Sequence, residues 1–129
     1  MQATPYTVWR APSGAVVVSM PGQIGRADCS RVHAALTRAL QPGATVIVDL
    51  TRADFRGHDA IVTLVSMQGL AAQAGARLRV AASAPNARLI RQVAGARHRL
   101  DFYPDLAAAL VGPRSRDTAR RPDRSRLPA

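Results

Sequence analysis

The residues best placed to do chemistry are four in a row, Arg56, Gly57, His58 and Asp59. They lie between a buried-strand pattern and an apolar helix pattern in VIVDLTRADFRGHDAIVTLV, Val46 to Val65. A helix start presents unpaired amides and the positive end of the helix dipole. The loop therefore favours an anion, a phosphate or a capping carboxylate over a cation. Asp59, in the first turn, reads as such a carboxylate. It also sets a permanent negative charge beside His58, although a carboxylate has fewer charges and acceptor oxygens than a phosphorylated serine and mimics one only in part. His58 could be phosphorylated, shuttle a proton or bind a metal, and each role needs partners. His33 and His98 fall on other elements and show no ligand spacing to it. His58 therefore reads as an exposed loop histidine that touches a partner.

Other chemistry is thinly represented. The chain has no Gly-rich phosphate cradle ending in Lys, no nucleophile elbow and no paired carboxylates attached to a pocket, so no catalytic residue and no cofactor is expected. Asp49 and Asp54 flank a strand end, where they suit loop amides. Cys29 is the only cysteine, which excludes an internal disulfide and any zinc site with two or more thiolates. It reads as a small half-buried helix residue. No metal site is expected.

These residues need elements to position them. Tyr6 to Arg10 is a weak strand and Ala15 to Met20 a strong one, joined through the Pro12-Ser13-Gly14 turn cluster. Pro21-Gly22 is expected to end that strand. Asp28 or Ser30 can cap a helix in which Val32, Ala35, Leu36, Ala39 and Leu40 recur at helical spacing, with Arg31 and Arg38 in solvent, before Pro42-Gly43 stops it. Val46 to Leu50, a nearly unbroken apolar run rather than an alternating one, suits a central strand covered on at least one face. The next helix runs from Asp59 to Ala74 and stops at Gly75. Leu78 to Ala82 is a strand, Ala84-Pro85-Asn86 opens a third helix that ends near Gly95, Leu100 to Tyr103 is an edge strand, and Asp105 to Val111 is a last helix. Alternating strands and helices imply right-handed crossovers and a largely parallel sheet.

The second helix is apolar on two faces. Ile61, Leu64, Val65, Gln68 and Ala72 form one, and Ala60, Thr63, Met67, Leu70 and Ala74 the other. Such a helix is either wholly buried or shows one face to a partner, where Met67 would be an adaptable contact or else core filler.

At 129 residues the chain holds a single core, and with 47% hydrophobic but only 4% aromatic residues that core is built from Val, Leu, Ile and Ala. The net charge of +10 comes from 18 arginines against eight aspartates, with no Lys or Glu, a bias of composition rather than a nucleic-acid signature. From Gly112 onward Pro, Arg, Ser and Asp dominate without apolar periodicity, and a disordered Arg-rich tail over 112–129 is expected. The charge makes an acidic surface or nucleic acid physically attractive, but no groove-reading motif accompanies it. No signal peptide or membrane-length apolar run is visible, which predicts a soluble, cytoplasmic protein without a membrane partner.

Together with GARLRVAASAPNARLIRQVAGARHRLDFYPDLAAAL, the Val46–Val65 stretch resembles the STAS family, the domain of bacterial anti-sigma-factor antagonists. The likeness in motif order and spacing spans Val16 to Val111 and is clearest from Val46 onward. In that family the strand ends in Asp-Leu, and the loop reads Phe, an apolar residue, Asp, Ser, a small residue, Gly, Leu. Asp49-Leu50 and Phe55 match. His58, however, stands where the family has the serine that a partner kinase phosphorylates, Gly57 where it has the preceding aspartate, and Gly25 where an aspartate commonly follows the second strand. Thr51, Thr63 and Ser66 are the nearest hydroxyls, and none matches the family's site.

The resemblance implies an α/β fold: a STAS-like mixed sheet of four to five strands, largely parallel, with helices packed on it as one domain over 1–111. It implies a non-enzymatic regulatory module of transcription that binds an anti-sigma factor, a histidine-kinase-like ATPase, without a phosphorylation switch at position 58 or in a divergent manner. Phe55, Arg56, Gly57, His58, Asp59, Ala60, Thr63 and Met67 would form the contact, and a homodimer remains open. Two other readings are an anion or small-ligand sensor using Arg56 and the helix start, and a tether to acidic surfaces or nucleic acid through the Arg tail.

Overall fold

A computed structural model describes residues 6–55, 58–95 and 100–113. Arg56, Gly57, His98 and the tail from Arg114, with the readings attached to them, lie outside the described residues. The main sheet has five strands in the order β1 (Thr7–Arg10), β2 (Val16–Ser19), β4 (Thr45–Leu50), β6 (Arg77–Ala82), β7 (Asp101–Tyr103). β1 pairs antiparallel with β2, and every other neighbour pair in this sheet is parallel. Helices α1 (Cys29–Ala39), α2 (His58–Ala74) and α3 (Ala84–Ala94) supply the crossovers, and a short α4 (Leu106–Val111) follows β7. This is the mixed, mostly parallel α/β architecture expected from the alternation of patterns.

The apolar run Val46–Val48 of β4 is explained by two cores. Val46, Val48 and Leu50 point into the larger one with Leu36 of α1, Ile61 and Leu64 of α2 and Ile90 of α3. Ile47 points the other way and meets Val17, Ala81 and Ala109 of α4. The middle of the strand is therefore dry on both faces, and the polar residues of the Ile47 face, Thr45 and Asp49, are half-buried at its two ends.

Helix ends follow their local chemistry. α2 ends in a Schellman motif: Gly75 takes φ +73°, and the amides of Gly75 and Ala76 donate to the carbonyls of Ala72 and Ala71. α3 is capped by Ser83, whose hydroxyl accepts from the Asn86 amide, and α4 by Asp105, whose carboxylate accepts from the Ala108 amide at 2.8 Å. α4 is further held by Arg79, which donates to the Ala109 carbonyl at 2.9 Å.

The sequence reading needs one substantial correction. Pro21-Gly22 does not simply end a strand. Gly22, at φ +87°, turns the chain into β3 (Gly22–Ile24), which pairs in parallel with β5 (Ala53–Phe55) as a separate two-stranded sheet. Three-residue strands offer too few positions for a periodic pattern. A single 3₁₀ turn, Arg26–Asp28, then leads into α1.

One side chain is poorly matched to its place. Gln68 Oε1 on α2 is buried without a hydrogen-bond partner among the described residues. Gln68→Met, which keeps the volume and removes the orphaned oxygen, is expected to stabilise the fold by about 1 kcal/mol in urea unfolding. A loss of similar size would show that the amide is satisfied.

Candidate functional site

The turn after β3 comes beside the start of α2, and the pairing of β3 with β5 sets that approach. The register places Gly22 with Ala53, Gln23 with Asp54 and Ile24 with Phe55. Arg26, in that turn, reaches across to α2, where its Nε stands 3.7 Å from Asp59 Oδ2. Both side chains are largely exposed, so the contact orients more than it stabilises. Behind it, Asp28 Oδ2 accepts from the Gly25 amide at 3.1 Å and closes the turn, while Cys29 Sγ, half-buried, lies 3.6 Å from the Gly25 carbonyl.

A second set of bonds fixes the exit from β4. Asp49 Oδ1 accepts from both the amide and the hydroxyl of Thr51, at 3.1 and 2.7 Å. Asn86, at the start of α3, donates through Nδ2 to the carbonyls of Ala53 at 2.9 Å and Leu50 at 3.4 Å. The sequence identified Asp49 as a loop-amide partner. It gave Asn86 no such role, because the bond spans more than thirty residues and a helix-opening Asn reads as local chemistry.

The expected contact residues divide into three groups. His58 and Asp59 are exposed at the start of α2, with Arg26 beside them. Phe55 closes β5, and Arg56 and Gly57 fall outside the described residues. The remaining three lie inward. Ala60 (6% exposed) and Met67 (0%) belong to the core, and Thr63, half-buried, donates its hydroxyl to the Asp59 carbonyl at 2.9 Å. Met67 is thus core filler, and neither it nor Ala60 can touch a partner while α2 keeps its place.

The buried side of α2 combines residues from both faces expected for it: Ala60, Ile61, Leu64, Met67 and Ala71. Its outward side carries Val62, Ser66, Gly69, Leu70 and Gln73, so no charge follows Asp59 on this helix. Ser66 is exposed two turns beyond His58, and Thr51 is engaged with Asp49.

The space beneath the start of α2 is small and apolar. A cavity of about 10 Å³ is lined by Ile24, Cys29, Val32, Leu50, Thr63 and Leu64. That is scarcely room for one water molecule, and not for a small ligand. Among the described residues no three His, Cys, Asp or Glu side chains converge as a metal site, and no helix is long and apolar enough to cross a membrane.

A mixed sheet with three crossover helices on one face, and a separate β3–β5 pair, is the SpoIIAA-like STAS fold of the anti-sigma factor antagonists. An anti-sigma factor antagonist from Mycobacterium paratuberculosis superimposes with a TM-score of 0.72 at 22% identity, over 87% of this chain and 95% of that one. SpoIIAA in its unphosphorylated form gives 0.64 at 13% identity, over 87% and 98% of the two chains. The phosphorylated form of Bacillus SpoIIAA gives 0.59 at 15%, over 90% and 100%. No protein-family model and no curated protein sequence matches the chain. At these identities the likeness establishes the fold.

The bonds from Asn86 make the site testable through its support. Asn86→Ala is expected to cost about 1–2 kcal/mol and to speed hydrogen exchange of the amides from Thr51 to Asp59. Unchanged exchange there would mean that the main chain holds the loop unaided.

Proposed function

We propose that this chain is a non-enzymatic regulatory module that binds an anti-sigma factor through the surface at the start of α2, with no phosphorylation switch at that position. The observation that carries the reading is the exposed His58, at the first position of α2 in an anti-sigma-antagonist fold. By family resemblance this is where a phosphorylated serine would stand, and an imidazole offers no hydroxyl to a serine kinase. Arg26, His58 and Asp59 form the polar part of the contact, and Val62, 45% exposed one turn further on, supplies apolar area. Phe55, Arg56 and Gly57 complete it in sequence. The partner, again by resemblance, is a histidine-kinase-like ATPase that sequesters a sigma factor.

An anion sensor is disfavoured by charge, because Asp59 adds a carboxylate to the first turn of α2 that would repel an anion there. No observation favours a tether through residues 112–129.

Calorimetric titration of the full chain with each anti-sigma ATPase of its source organism, in ADP and in ATP, tests the proposal. Binding to at least one is expected, weakened about tenfold or more by Asp59→Arg, which costs roughly 1–2 kcal/mol of stability by reversing a charge at a helix start while the protein stays folded. Absence of binding to all of them would overturn the reading. The double variant His58→Ser with Gly57→Asp is expected to become a phosphate acceptor for the ATPase that binds, detectable by mass spectrometry. An unmodified double variant would show that more than the loop has diverged.

A further inference from the structure

Among the described residues the sheet has an open edge at β1, two strands away from β4 and independent of the surface at the start of α2. All four residues of β1 are exposed, among them Val8 at 52% and Trp9 at 40%. Its hydrogen-bond phase is fixed by the hairpin. The Ala11 amide donates to the Ala15 carbonyl at 2.8 Å, which makes that pair hydrogen-bonded. Stepping along the register, Trp9 with Val17 and Thr7 with Ser19 are also hydrogen-bonded pairs, whereas Val8 opposite Val18 and Arg10 opposite Val16 are not. The main-chain amides and carbonyls of Val8 and Arg10 therefore point away from β2, toward solvent. Edges are blunted by shortness, charge, proline or a bulge; β1 is short and ends in Arg10, but no proline or bulge interrupts Thr7–Arg10.

Among the described residues, the charged side chains lining the α1 side of this edge are arginines. The groove there, of about 290 Å³, is lined by Tyr6, Val8, Arg10, Ala35, Arg38 and Gln41 among others, with two arginines and no acid in its lining. Nearby, Arg31 lies over the Tyr6 ring, 5.1 Å from its centroid, and is itself paired with Asp28 at 3.9 Å. Side chains alternate across a strand, so Val8 and Arg10 face this groove and Trp9 stands on the opposite face.

We propose that β1 is a docking strand for an extended acidic segment of another protein, which adds to the sheet as a further strand. Its backbone bonds to the open groups of Val8 and Arg10. Alternate side chains are acidic toward Arg10 and Arg38, and those between them are apolar against Trp9. Charge selects this occupant over a second copy of the chain. Pairing β1 with β1 would bring together two proteins of net charge +10 and both sets of groove arginines.

Trp9 is the only tryptophan, so its fluorescence reports on the edge directly. The full chain is titrated with a blocked peptide of about eight residues alternating Glu with Val, and with its Lys-Val counterpart. A saturable blue shift with the Glu peptide alone is expected. Val8→Pro removes an amide that β2 does not use and is expected to abolish the shift. Arg38→Glu, exposed on α1, should weaken binding about tenfold or more without moving the thermal midpoint, and it carries the test if Val8→Pro misfolds. No shift at millimolar Glu peptide, or an equal response to the Lys peptide, would overturn the proposal. So would a protein dimer that Val8→Pro dissociates, since that would assign the edge to a second copy.

Discussion

Burial of β4 on both faces is the constraint on which the rest of the structure depends. Val46, Ile47 and Val48 are fully enclosed and Leu50 is nearly so. Each contributes on the order of 1.5–3 kcal/mol by leaving water. To enclose one strand from two sides the chain must put β2 and β6 beside it, three helices over one face and α4 under the other. The second layer is thin: a helix of six residues, anchored by Arg79 and ended by Gly112, where a Cβ would stand 2.5 Å from the Arg79 guanidinium carbon. Once β4 is dry, its end at Leu50 is also the place where polar chemistry can resume.

The surface at the start of α2 is built outside the main sheet. β4 delivers the chain to Asp49 and Thr51, Asn86 ties down the carbonyls beyond, and β3 and β5 run side by side in parallel. Arg26 and Asp59 then face each other across the gap. None of these interactions is individually strong. They act together because each removes freedom from a short loop whose ends are already fixed by the core. A partner at this surface would meet a small polar cluster at one end of an uncharged helix, whose desolvation must be offset by pairing its charges.

The wide gap between structural likeness and sequence identity has the same physical origin. A core of Val, Leu, Ile and Ala can exchange members at constant volume and keep its fold. Positions outside the core carry no such constraint, and His58, Gly57 and Gly25 depart from the pattern of the family that the sequence resembles. Fold and function therefore have separate foundations.

By itself the sequence determined the α/β class, the order of the longer elements, the central place of Val46–Leu50 and the helix end at Gly75, because periodicity and capping act over a few neighbouring residues. It also determined that no serine stands at position 58. Only the tertiary structure decided the β3–β5 pair, too short to show a period, and the bond from Asn86 to Ala53, which links distant segments. The structure alone also separated Met67 and Ala60, which the core encloses, from His58, Asp59 and Val62, which it leaves in solvent. Helical spacing describes two faces of α2 equally well, and only packing against β4 and its neighbours chooses which one is hidden.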